Sequence, residues 1–173
     1  MIMPRGADQL LLPVNPLFIA LSLFAALGFN LLPLGRTPAL PDLLAVTLAF
    51  WAVHQPRRVG IGLSFGFGLV MDVHQGALLG QHALAYTLMA FVALALSRRL
   101  TWFTLPQQAL QVLPLFLATH SVALLVRLAA NDVFPGWSMF TAPLIEAALW
   151  PFVTLLLLAP QLRAPDPDEN RPL

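Results

Sequence analysis

Residues 66–84 read GFGLVMDVHQGALLGQHAL, an apolar run punctuated by Gly66, Gly68, Gly76 and Gly80, with Asp72 and His74 set inside it. On a soluble helix an acid and an imidazole would simply face water. In a bilayer, an ionisable side chain at mid-depth costs about 2.5 to 3.5 kcal/mol on insertion scales and needs a partner or a cavity. The fold therefore turns on which solvent surrounds this stretch. The rest of the chain answers: of 173 residues, 58% are hydrophobic and 10% charged, and the mean hydropathy is +0.78. Those values lie outside the range of ordinary soluble domains, so the fold class read here is an all-α integral membrane protein.

A bilayer core about 30 Å thick takes about 20 apolar residues of helix. Six segments approach that length: about Val14 to Leu34, Thr37 to His54, Val59 to Leu79, Ala83 to Ser97, Pro106 to Ala130 and Met139 to Pro160. The second and fourth are short enough to be re-entrant instead. Arginine placement favours crossing, because short cytoplasmic loops carry the positive excess. With six crossings and an inside N-terminus, Arg5, Arg57, Arg58, Arg98, Arg99, Arg163 and Arg171 fall inside, and Arg36 falls outside. The expected organisation is a cytoplasmic N-terminus over 1–13, a six-helix membrane domain over 14–160 and a disordered cytoplasmic tail over 161–173. Arg5 ahead of an apolar stretch with Ala25 and Ala26 imitates a signal peptide, but the stretch exceeds a usual h-region and reads as a retained helix.

Several chemistries are set aside at this stage. A net charge of +1 gives nucleic acid no electrostatic footprint. The absence of cysteine excludes disulfides and thiolate chemistry. His54, His74, His82 and His120 share no ligand spacing, so neither a metal site nor any other cofactor is expected. Gly62-Leu63-Ser64-Phe65-Gly66 fits G-x-S-x-G, yet that motif needs a strand-to-helix turn, and these residues sit in a helical segment.

The buried polar residues form a candidate cluster of Asp72, Arg127 and Glu146, all three in the outer half of their segments, with His120, His74 and Asn131 nearby. Arg127 offers a bidentate fork to either carboxylate; snorkelling to the outer headgroups is the competing role. Gly62 and Gly66, and Gly76 and Gly80, are spaced by four, while Ser64 and Gly68 repeat that spacing one face over. Small residues at that interval let helix backbones approach closely in lipid. Trp51, Trp102, Trp137 and Trp150 mostly fall near segment boundaries, as interfacial anchors do. Pro114 and Pro151 are expected to kink or start helices.

The order of features then resembles a known family. Pro41-Asp42-Leu43-Leu44 opens a short helix ending in Phe50-Trp51. Pro56-Arg57-Arg58-Val59-Gly60 follows, then Phe67-Gly68-Leu69-Val70-Met71-Asp72, and then Gly76 through Tyr86 with Gly80 and His82. Over roughly residues 10 to 160 this is similar to the rod shape-determining MreD family. The resemblance implies a non-enzymatic inner-membrane component of the peptidoglycan elongation machinery. The partners it implies are the bitopic protein MreC, the filament protein MreB, and RodA with its transpeptidase partner. It also implies a distant likeness to the S-components of vitamin transporters, which keeps a second expectation open: a substrate-binding membrane subunit of a small-molecule transporter. A hydrolase built on Ser64 is a third. Homodimerisation is left open. On the scaffold reading, Asp72 orients helices by binding a backbone amide, a histidine, Arg127 or a polar residue of MreC.

Overall fold

The computed structural model describes residues 14–32, 40–130 and 133–161. Those residues form six α-helices and no strand: α1 Pro16–Asn30, α2 Leu43–His54, α3 Ile61–Gln75, α4 Gln81–Leu100, α5 Leu105–Ala129 and α6 Thr141–Leu158. A 3₁₀ turn, Trp137–Phe140, leads into α6, and another, Ala159–Gln161, follows it. Arg5, Arg36, Asn131, Arg163 and Arg171, the 1–13 segment and all of the expected tail except buried Gln161 lie outside the described residues.

Local chemistry sets most of the helix ends. Asn15 accepts from the Leu17 amide at 2.9 Å with Pro16 at the first helical position, and Asp42 caps α2 through the Ala45 amide at 2.9 Å. Thr104 and Gln107 form a capping box at the start of α5. Pro56 follows the end of α2, where no further helical turn is possible. Gly76 stops α3 with φ 63°: the Ala77 amide reaches the Asp72 carbonyl at 3.0 Å and the Gly76 amide reaches Val73 at 3.3 Å. This is the left-handed closure that glycine makes without strain. The third segment therefore ends four residues before the expected Leu79.

The central element is α2. Every residue from Leu44 to Val53 is buried, and α2 packs against α1, α4 and α6. Its own Phe50 and Trp51, and Tyr86, Phe116 and Trp150 from its surroundings, are all fully buried. Phe50 meets Trp51 edge-on at 4.9 Å, and Trp150 bridges Phe50 and Phe116 at 6.3 and 6.2 Å. Buried indoles need acceptors; Trp51 donates to Ser22 at 2.8 Å and Trp150 to Gln108 at 3.2 Å. Trp51 and Trp150 are thus core residues, contrary to the expectation of interfacial anchors. Trp102 and Trp137, 88% and 80% exposed, retain the position of anchors.

Among the described residues, three helical stretches are long and apolar enough to cross a membrane: Gln81–Leu100, Leu105–Ala129 and Trp137–Gln161. The fourth segment, expected to be short, is among them. At 1.5 Å per residue, α1 and α3 rise only about 22 Å and α2 about 18 Å, below the bilayer core. For α2 the shortness has a physical reason. Enclosed by its neighbours, it contacts little besides protein and has no lipid thickness to match. The outer faces are apolar, with Leu17, Leu110, Phe152 and Leu156 about 70% exposed, as suits a protein whose solvent is hydrocarbon.

Candidate functional site: a buried polar layer

Asp72 is fully buried on the last turn of α3, and all four of its contacts are with the start of α4. Its Oδ2 accepts from the Gly80 amide at 2.8 Å and the Ala83 amide at 3.3 Å. Its Oδ1 accepts from the His82 amide at 2.7 Å and from His82 Nδ1 at 2.8 Å. Helix α4 has no cap of its own, since Gly80 carries no side chain, so the acid of the preceding helix fills that role. Negative charge here also complements the positive end of the α4 dipole. Of the partners anticipated for Asp72, the structure supplies the backbone amide and the histidine.

The glycines of this hairpin divide by task. A Cβ on Gly68 would lie 2.4 Å from Ala83 Cα and 2.7 Å from the His82 carbonyl, so α3 and α4 touch backbone to backbone there, with Ser64 buried on the same face. Gly76 and Gly80 have φ of 63° and 107° and serve the turn, not a packing face. A Cβ on Gly62 or Gly66 would meet nothing within 4 Å. The close-packing pair within the chain is Ser64 and Gly68. Spacing by four marks the stripe and leaves open which of its faces turns inward.

A second set of contacts centres on Asp42, at the start of α2. Its Oδ1 accepts from Asn30 Nδ2 at 2.6 Å as well as capping Ala45, and its Oδ2 accepts from the Tyr86 hydroxyl. The Asp42 amide donates to Glu146 Oε1 at 2.9 Å, and His120 Nε2 meets the same oxygen at 2.8 Å. Glu146 is fully buried, and its Oε2 has no hydrogen-bond partner among the described residues. One polar chain thus joins the end of α1, the start of α2, the first turns of α4, the second half of α5 and the start of α6. The rings of His82 and Tyr86, 6.0 Å apart, bring the Asp72 set beside it.

The geometry sorts the sequence-derived candidates. Glu146 and His120 meet, whereas Asp72 is engaged by His82, one of the motif residues, and not by Glu146. Arg127 stands in the last turn of α5. His74, in the last turn of α3, is exposed. Pro41 precedes the capping Asp42. Ser64 is buried within α3, and His54 binds its own helix at the Phe50 carbonyl, 2.9 Å away, so the G-x-S-x-G residues form no nucleophile elbow. Sequence reasoning did not place Asn30, Asp42 or Tyr86 in a polar cluster. The one available signal was Asp42 directly ahead of an apolar run, which marks a helix cap.

The family model described as rod shape-determining protein MreD matches residues 11–159. This chain belongs to the MreD family. The rod shape-determining protein MreD of Haemophilus influenzae (strain ATCC 51907 / DSM 11121 / KW20 / Rd) is 31% identical over 129 residues, which span 72% of this chain and 77% of that protein. No solved structure matches, so the likeness to transporter S-components gains no support from that comparison. Membership makes the chain a rod shape-determining membrane protein associated with the rod-shape machinery. In this MreD-family chain, then, the motif Asp72-x-x-x-Gly76-x-x-x-Gly80 is a helix-hairpin clamp: an acid, a left-handed stop and a turn glycine that together cap the next helix.

Proposed function

We propose that this protein is a non-enzymatic scaffold of the peptidoglycan elongation complex in the bacterial inner membrane. In this reading it binds MreC within the bilayer and through it works with MreB, RodA and the transpeptidase partner of RodA. The observation that carries the reading, beyond family membership, is how the buried carboxylates are used. Asp72 and Asp42 spend their oxygens on the chain's own amides, hydroxyl and imidazole groups. Such contacts hold helices in register and leave the apolar outer faces for a partner helix, which in lipid binds by packing.

Six crossings with both termini cytoplasmic fit the same proposal. Consecutive helices alternate in direction, since the α1 end, the α2 start and the starts of α4 and α6 meet in one layer. Arg57, Arg58, Arg98 and Arg99 gather at the opposite end, which the positive-inside rule assigns to the cytoplasm.

The test is co-purification of the tagged protein from native membranes in mild detergent. MreC at near-stoichiometric yield is the expected result. Recovery of an ATPase pair with an energy-coupling membrane subunit, and no MreC, would replace the scaffold with a transporter component.

A further inference from the structure

A cleft of about 380 Å³ opens between α1 and α3 at the end of the molecule where both helices begin. Ile19 and Leu23 of α1 and Val59 of the α2–α3 loop line it from the core side, at 5%, 2% and 1% exposure. Pro16 and Ala20 on α1 and Leu63 on α3 complete its walls. The polar side chain in the lining is Arg58. Its Nη1 donates to the Val14 carbonyl at 3.0 Å, which ties the guanidinium beside the start of α1, and no other described residue takes its remaining nitrogens. Further along both helices, Phe24 and Phe67 meet edge to face at 5.9 Å.

We propose that this cleft seats one acyl chain of an anionic phospholipid, with its phosphate on Arg58. The wall from Pro16 to Leu23 descends about 10 Å, the depth of the upper part of an acyl chain below its headgroup. An apolar lining rejects a free anion, while the planar guanidinium fork matches phosphate oxygens. A helix about 10 to 12 Å across needs a long open seam, which the Phe24–Phe67 contact interrupts. Charge also selects the ligand. The acids among the described residues, Asp42, Asp72 and Glu146, all sit in the polar layer at the other end, so no described acid offsets Arg58 and the exposed Arg57. The inference rests on the membrane placement of the chain and is independent of which protein it binds.

Native mass spectrometry of the full-length protein in detergent tests it, with phosphatidylglycerol and phosphatidylethanolamine of matched chains titrated separately. One tightly held phosphatidylglycerol is expected, favoured about fivefold over phosphatidylethanolamine, as about 1 kcal/mol per arginine implies. Arg58→Gln should abolish that preference while Arg57→Gln largely keeps it. Ala20→Phe and Leu63→Trp, which fill the cleft from opposite walls and leave Arg58 in place, should each displace both lipids. Equal retention of the two lipids by the unmodified protein would overturn the proposal. So would equal losses from Arg57→Gln and Arg58→Gln with no effect of either cleft-filling change, because the loop charge alone would then explain binding.

Discussion

Exchanging Asp72 for asparagine alters a single side-chain atom and the charge, and the structure sets what that costs. Both carboxylate oxygens accept, each from two donors: Gly80 and Ala83 amides on one, the His82 amide and Nδ1 on the other. An asparagine has one oxygen. Whichever way its amide is turned, its NH2 faces two donors and leaves at least one backbone N–H at the start of α4 without an acceptor. An unsatisfied buried donor costs about 1 to 3 kcal/mol, and loss of a helix cap about 1 kcal/mol. Asp72→Asn should therefore destabilise by about 2 to 4 kcal/mol, close to Asp72→Ala and far from a conservative change. Glu146→Gln supplies the control. There Oε1 takes both contacts while Oε2 takes none among the described residues, so glutamine can keep its oxygen on Asp42 and His120; its NH2 replaces an oxygen that already lacks a partner, and the change should cost only about 1 kcal/mol. Thermal unfolding in detergent, followed by tryptophan fluorescence, ranks the variants, and rod-shape complementation reports the consequence in cells. If Asp72→Asn melted like the unmodified protein while Asp72→Ala did not, the four-donor account of the clamp would be refuted.

Three further outcomes follow from the same contacts. Gly68→Ala pushes a methyl to within 2.4 Å of the α4 backbone and should cost about 1 to 3 kcal/mol, whereas Gly66→Ala meets open space and should be neutral or stabilising by up to about 1 kcal/mol; equal melting of the two would show that α3 and α4 do not touch at Gly68. Gly76→Ala places a Cβ at φ 63° and should lower stability by about 1 kcal/mol, while Leu78→Ile on the exposed turn should be silent in the same unfolding assay. Tyr86→Phe keeps the ring beside His82 but strips the hydroxyl from Asp42. A loss of about 1 to 3 kcal/mol is expected, and an unchanged midpoint would remove Tyr86 from the layer.

Hydropathy located all six helices because a bilayer demands long apolar runs, and helix interiors announce themselves by composition. The ends were less legible. Gly76 and Gly80 looked like a packing pair, since spacing by four is common to packing stripes and to the two sides of a turn; only their positive φ separates the two. Trp51 reads as an anchor because it lies near the end of a short segment, and Trp150 because indoles favour membrane interfaces. Their burial depends on α2 being enclosed, which is a property of the whole bundle. Asp72 and Glu146 were legible as buried acids needing partners. Their actual partners came largely from helix starts, the Asp42 amide and the amides of residues 80 to 83, and backbone donors carry no sequence signature.

The placement of the polar groups constrains what they can do. A relay that moves a proton or an ion across a membrane needs acceptors at successive depths along the bundle. Asn30, Asp42, Tyr86, His120 and Glu146 are instead linked by direct contacts into one layer, with the Asp72–His82 pair beside them. Contacts arranged that way act sideways: they tie α1, α2, α4, α5 and α6 to one another and α3 to α4. The central helix α2, too short to be held by matching the bilayer, is fixed at its start by Asp42, which caps its own helix while binding α1, α4 and α6. Loss of this one carboxylate would therefore loosen several helix pairs together. A partner that recognises the assembled outer surface would lose its binding site even where it never touches Asp42.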